Sequence, residues 1–188
     1  KKERAYLVAQ NGLGNEDYVE QELNTDNVSR MIINLAARSS ENKTYMKLLD
    51  KENYIGSNRS RKSAELISGL LTEAGLQTRY TPNLKEKEWI KVTLNSSIMP
   101  ICVIKDMTME EVMKDKETKK MVSEAMDECM KVAKADGVDL SNKKTKYLEY
   151  LEKAGPHKTS MYVDIKNRRG TEIDWINGAI IIKAQKYK

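Results

Sequence analysis

Residues 89–100, WIKVTLNSSIMP, decide the reading of the second half of this chain. Trp89, Ile90, Val92, Leu94, Ile98 and Met99, with Ile101 just beyond, make the stretch too apolar for a solvated surface, and their spacing is that of a helix. Lys91 and Asn95 stand at i and i+4 within it, so both project from one helical face. Lysine is rarely buried without a partner, and one in such surroundings needs an anion, a ligand or a path to water. Two readings stay open from the spacing alone. In one, Lys91 snorkels along the helix to water and Asn95 bonds locally. In the other the pair belongs to a site, with Lys91 held charged by a carboxylate such as that of Glu172 and poised as a proton donor.

Working outward, the pattern is helical from Pro82 onward. Helices are expected over 84–104, 108–136 with a break near Asp115, 141–154, 159–168 and 172–187. Upstream, β-prone runs at 5–10, 30–36, 44–49 and 77–80 alternate with helical patterns at 15–23 and 61–74, separated by turn-like clusters of Asn, Ser, Gly and Asp. The fold class expected is α/β plus all-α, divided between 1–82 and 83–188, with a site in the cleft between the two parts.

A second polar segment, HKTSMYVDIKNRRGTEIDWING (157–178), lies downstream. Gly155-Pro156 breaks one helix, and Thr159 or Ser160 is suited to cap the next. Thr171, with Asp174 three residues on, reads as a capping box before the apolar run Ile173, Trp175, Ile176, Ala179, Ile180 and Ile181. On that reading Glu172 complements a helix dipole.

The segments VAQNGLGNE (8–16), WIKVTLNSSIMP, TSMYVDI (159–165) and TEIDWINGA (171–179) together resemble the ketopantoate reductases (2-dehydropantoate 2-reductases), in order and in approximate spacing, across essentially the whole chain. The resemblance implies a partial Rossmann-type NADP-binding domain over 1–82 and the family's helical C-terminal domain over 83–188. It implies NADPH-dependent reduction of a 2-keto acid, 2-dehydropantoate to pantoate or a related substrate, as in pantothenate biosynthesis. Lys91 would protonate the 2-keto oxygen, and Asn95 would hydrogen-bond the substrate one turn further along. Ser160 would bind the substrate's carboxylate or hydroxyl end, and Glu172 would contact the cofactor and help to hold Lys91. Asn11 would touch both cofactor and substrate at the end of a Rossmann strand, with Gly12 beside it. Ala37, in LAAR (35–38), falls where the family's backbone approaches the cofactor. Such a set suffices for the carbonyl half of the reaction, since a positioned ammonium both stabilises the developing oxyanion and supplies the proton.

Departures from the family's pattern are as informative. Met99 stands where a second Asn is frequent, and the segment around Met109 lacks a further one, so the pocket is expected to be less polar; reduction of a 2-keto acid stays the expectation, while the choice between ketopantoate and a related acid is left open. His157, the only histidine, occupies a position that is polar in the family, and reads either as a substrate contact or as a surface group beside Gly-Pro. No G-x-G-x-x-G turn is present: Gly12 and Gly14 follow a strand-like run but lack the third glycine. The resemblance therefore implies an internal piece of a longer chain, without the N-terminal fingerprint and the extreme C-terminus, which by itself should bind a dinucleotide poorly and be inactive.

Composition adds bounds. With 188 residues and 39% of them hydrophobic, one or two domains with a core are expected. No run is long enough to span a membrane and no signal peptide is recognisable, so membrane association is not expected. Cys102 and Cys129 lack C-x-x-C spacing and read as buried free thiols of a reducing cytoplasm, with no metal site. A net charge of +5 invites nucleic-acid binding through 114–120, 143–146 and Arg168-Arg169. Yet Glu110, Glu111, Asp115, Glu117 and Glu124 interleave with those cations and no recognition motif accompanies them, so nucleic acid is not the expected partner. A basic cleft suits instead a small anionic 2-keto acid and the phosphates of NADPH. The enzyme reading is compatible with a homodimer, and the alternative to it is a non-catalytic helical dimerisation or interaction module, or an inactive fragment of such an enzyme.

Overall fold

The computed structural model describes residues 4–40, 43–48 and 52–187. Two compact units divide the chain, one formed by Lys1–Gln10 and Gly14–Lys87, the other by Asn11–Leu13 and Glu88–Lys188.

In the first unit, strand β1 (Tyr6–Val8), helix α1 (Asn15–Leu23) and strand β2 (Val28–Ile32) are followed by strands β3 (Leu35–Ser40), β4 (Lys43–Leu48) and β5 (Asn53–Gly56), helix α2 (Arg61–Glu73) and strand β6 (Thr78–Tyr80). The main sheet has the order β1-β2-β5-β6, and β3 and β4 form a separate antiparallel pair. The β1–β2 and β5–β6 pairings are parallel and β2–β5 is antiparallel. All residues of β2 and β5 are buried, as expected for central strands covered on both faces. Asn53 and Arg30 find their partners within the protein, whereas the Ser29 hydroxyl is buried without a hydrogen-bond partner. Asn53 accepts the Asn34 amide N–H at 2.7 Å and donates to the Gln77 carbonyl at 3.0 Å, while Arg30 donates to the Val8 carbonyl at 3.3 Å and lies 3.5 Å from Glu16.

Two differences from the sequence reading appear here. The run 30–36 is not one strand: β2 ends at Ile32 and the chain turns at Ile33-Asn34, where Asn34 is tied to Asn53 and to the Glu52 carbonyl. Strand β5, four residues long, had no counterpart in the expectation. The strand expected at 44–49 corresponds to β4, and Leu49 lies outside the described residues, as do Lys1, Lys2 and Lys188.

The second unit is helical. Its elements are α3 (Leu84–Ile104, whose first turn belongs to the other unit), α4 (Met109–Lys114), α5 (Lys116–Ala135), a 3₁₀ turn at Ser141–Lys143, α6 (Lys144–Glu152), α7 (Ser160–Lys166), a π-turn at Asp174–Gly178 and α8 (Ala179–Lys186). Trp89, Val92, Ile98 and Cys102 of α3 meet a stripe on α5 at Val122, Met126, Cys129, Met130 and Ala133, with Leu151, Met161 and Ile176 completing the core. The stripe recurs every three to four residues, which is why α5 forms and why it lies flat on its neighbours; its Val and Met side chains contribute about 1.5–3 kcal/mol each on full burial. The break between α4 and α5 falls at Asp115, whose carboxylate accepts the Thr118 N–H at 2.9 Å.

A capping box does occur, but at Thr108 and Glu111. The Thr108 N–H donates to Glu111 Oε2 at 2.7 Å, and the Glu111 N–H donates to Thr108 Oγ1 at 3.2 Å. The box expected at Thr171 and Asp174 is not the observed arrangement. Thr171 Oγ1 accepts the Ile173 N–H at 3.4 Å instead, and the chain enters the π-turn directly. Both cysteines are free and buried. Among the described residues no helix is long and apolar enough to cross a membrane.

Candidate active site

Helix α3 carries the first part of the site. Trp89 and Val92, on either side of Lys91, are fully buried, whereas Lys91 and Asn95 are half-buried, one turn apart on the same face. The buried flank is pinned by polar contacts. The Trp89 indole N–H donates to Asp136 Oδ2 at 2.9 Å, and the Thr93 hydroxyl lies 3.3 Å from Cys129 Sγ. Asp136 also receives Lys183 Nζ at 3.2 Å and the Tyr187 hydroxyl, so α8 is anchored to the end of α5 beside Trp89. Rotation of α3 about its axis is thereby opposed, which fixes the direction of the Lys91–Asn95 face.

The second part joins residues far apart in sequence. The Asn11 amide N–H donates to Glu172 Oε1 at 3.0 Å and Asn11 Nδ2 donates to Oε2 at 2.7 Å, so one residue grips both carboxylate oxygens. Two residues on, the Leu13 N–H donates to the Trp175 carbonyl at 2.9 Å. Between these bonds Gly12 has φ +106°, and a Cβ there would lie 2.3 Å from the Trp175 carbonyl oxygen. No other residue type allows this approach without displacement. Gly12 thus acts as a packing residue against the backbone of residue 175, a role that sequence reasoning did not assign to it.

The π-turn that follows Glu172 is the third part. A π-turn is an uncommon insertion that recurs at functional sites. Ile176 within it is fully buried in the core shared with Trp89 and Val92, and Asn177 Nδ2 donates to the Ser96 carbonyl of α3 at 3.1 Å. This side chain, too, was missed in the sequence. The structure therefore brings together Asn11 and Glu172, and ties the turn beginning just after Glu172 to the residue adjoining Asn95.

The remaining predicted residues are less engaged. Ser160 is exposed at the first turn of α7, whose cap is Thr159, accepting the Tyr162 N–H at 3.3 Å. His157 is exposed; its N–H donates to the Gly155 carbonyl at 3.0 Å and its carbonyl accepts the Met109 N–H at 3.1 Å. Met99 is a core residue and Met109 packs against the same cluster. Ala37 belongs to the first unit, on β3, paired with Met46. Burial pushes the Cys102 thiol up to about 11, despite the nearby Lys158, and raises that of Cys129 as well. Neither is a nucleophile at neutral pH. Among the described residues no cluster of His, Cys, Asp and Glu could hold a metal ion.

Residues 83–188, more than half of the chain, match the family model described as the ketopantoate reductase PanE/ApbA C-terminal domain. The chain belongs to the ketopantoate reductase family. It is 31% identical to a 2-dehydropantoate 2-reductase of Streptococcus pyogenes serotype M3, over 98% of this chain and 62% of that protein. Ketopantoate reductase relatives of known structure share the α/β-plus-helical architecture: the 2-dehydropantoate 2-reductase of Geobacter metallireducens superposes with a TM-score of 0.86 at 22% identity, covering 97% of this chain and 62% of that one. A D-mandelate dehydrogenase, solved with NADH and anilino(oxo)acetate, superposes with a TM-score of 0.82 at 29% identity, over 100% of this chain and 63% of its own. The chain thus spans somewhat under two thirds of the length of these relatives.

Proposed function

We propose that the protein containing this chain reduces a 2-keto acid, 2-dehydropantoate or a close relative, with NADPH, and that this chain supplies the proton-donating and substrate-binding groups. The observation that carries the reading is the half-buried Lys91 between the fully buried Trp89 and Val92, on a helix whose facing turn follows the Asn11–Glu172 pair. Support comes from family membership and from the dehydrogenase relative crystallised with a nicotinamide cofactor and an oxo-acid ligand.

The residues present suit one end of the cofactor better than the other. A carboxylate such as Glu172 accepts from hydroxyls and carboxamides and repels phosphates. The first turn of α1 carries Glu16 and Asp17, which oppose the binding of a diphosphate at that helix start. Asn11, Gly12 and Glu172 would therefore hold the nicotinamide-ribose end. When bound, the cofactor supplies hydride to the carbonyl carbon. The Lys91 ammonium stabilises the negative charge that builds on the keto oxygen and gives that oxygen its proton, leaving a secondary alcohol. Asn95 orients the substrate by hydrogen bonding one turn further on, Ser160 and His157 receive its polar end, and Asn11 fixes the carboxylate of Glu172.

In the complete enzyme, Lys91→Ala should lower turnover by about a hundredfold or more, the usual scale for loss of a general acid, with the melting temperature little changed. An unchanged rate with 2-dehydropantoate and NADPH would remove Lys91 from the mechanism.

A further inference from the structure

In an α-helix the carbonyl of residue i accepts the N–H of residue i+4. Pro100 lies inside α3 and has no N–H, so the Ser96 carbonyl, four residues earlier, has no such donor. That carbonyl is the one that accepts Asn177 Nδ2, at 3.1 Å, from the π-turn following Glu172. Ser96 is buried, so water is a poor substitute, and a buried carbonyl left bare is costly. Asn177 Oδ1 is buried without a hydrogen-bond partner, so a single donor–acceptor contact orients the carboxamide, and a flipped amide would set oxygen against oxygen.

We propose that Asn177 is a positioning residue, whose carboxamide fills the gap opened in α3 by Pro100 and so holds the turn after Glu172 in register with the helix face bearing Lys91 and Asn95. The inference rests on the preceding functional reading for its catalytic consequence, but the contact itself does not. Asn177 touches neither reacting atom. It acts through two neighbours, since Ser96 adjoins Asn95 and the turn begins two residues after the carboxylate that Asn11 grips. A helix without proline at 100 would satisfy its own carbonyl, and Asn177 would have no acceptor there.

The test is a double-mutant cycle in the complete enzyme. Asn177→Leu keeps the volume and removes the donor; Pro100→Ala restores an N–H that can serve Ser96 within the helix. Asn177→Leu is expected to lower both the melting temperature and kcat, the latter by about tenfold to a hundredfold, as for a small misplacement of reacting groups. In Pro100→Ala/Asn177→Leu the melting temperature should recover toward that of Pro100→Ala alone, because the bare carbonyl is gone, while kcat stays low because the turn is no longer tied to α3. Recovery of kcat in parallel with stability, or a kcat within twofold of wild type in the single variant, would overturn the positioning role. If Asn177→Leu does not fold by itself, the kcat of Pro100→Ala/Asn177→Leu against wild type carries the same reading: a loss of about tenfold to a hundredfold is expected, and a value within twofold of wild type would overturn the positioning role. A wild-type enzyme that reduces no 2-keto acid would defeat the functional reading alone, and the thermal cycle would still decide whether Asn177 serves the Ser96 carbonyl.

Discussion

Replacing Gly12 by alanine tests the junction that holds Asn11 against Glu172. At φ +106° a side chain brings backbone strain of about 1–3 kcal/mol. The added Cβ would also meet the Trp175 carbonyl oxygen at 2.3 Å, and its carbonyl carbon and Cβ at 2.7 Å. Two of these three atoms are backbone, so no rotamer change relieves the clash. Residues 11–13 must separate from 175, at an overpacking cost of about 1–3 kcal/mol and the loss of about 1 kcal/mol from the Leu13–Trp175 hydrogen bond. A destabilisation of about 3–7 kcal/mol is expected from these terms together. Gly14 provides the control, because it too has positive φ, +78°, yet a Cβ there would meet nothing within 4 Å. Gly14→Ala should therefore show only backbone strain, about 1–2 kcal/mol. Urea unfolding of the complete enzyme, read as a shift in midpoint at constant slope, separates the two variants. Equal destabilisation by Gly12→Ala and Gly14→Ala would refute the claim that Gly12 is required for close approach to Trp175.

Two further predictions follow from the charge and thiol environments. The Tyr162 hydroxyl and the Lys158 ammonium hold the Asp106 carboxyl below its ordinary range. A depressed carboxylate contributes stability above its unfolded pKa of about 3.9, and loses it as pH falls through the folded value. Asp106→Asn, which retains a side chain tolerant of the left-handed backbone at this position (φ +54°), should melt below wild type near neutral pH, with the gap closing in acid below about pH 4. A gap of constant size from neutral to acidic pH would show that charge is not its origin. Cys102, fully buried and with its thiol raised to about 11, should resist iodoacetamide at pH 8 in the native protein and react completely once denatured. Rapid native alkylation, followed by mass spectrometry, would contradict the burial.

The helices were legible because a 3.6-residue apolar period needs no distant information. The faces of α3 and α5 and the break at Asp115 could all be read locally. The strands were less so. The run Met31-Ile32-Ile33-Asn34-Leu35 contains no Gly or Pro, and its turn is imposed by Asn53, nineteen residues away, which accepts the Asn34 N–H. The capping boxes show how finely local chemistry must be weighed. Thr108-x-x-Glu111 and Thr171-x-x-Asp174 have the same spacing, but the returning bond to the cap N–H is made by the longer glutamate side chain, and aspartate is one methylene short. The pairing of Asn11 with Glu172, 161 residues apart, was not readable from either segment by itself. Only resemblance to a family put both residues in one site, and it gave Gly12 a role toward the cofactor where the structure adds close packing on Trp175.

Two of the places where local propensity disagrees with the observed helices face each other. Proline at position 100 conflicts with the interior of α3, and the pair Asn177-Gly178 is a poor helix former at the start of the last helix. Each looks like a defect when read alone. Together they are complementary, since one leaves a carbonyl without a donor and the other widens into a π-turn and offers a side-chain donor to that carbonyl. Sequences are locally consistent where only folding is at stake, and departures concentrate where a site imposes its own geometry. That the contact between them joins Ser96, the neighbour of Asn95, to the turn starting two residues after Glu172 is an argument that it serves the register of the site. Stability alone would be served as well by an alanine at 100 and a regular helix start.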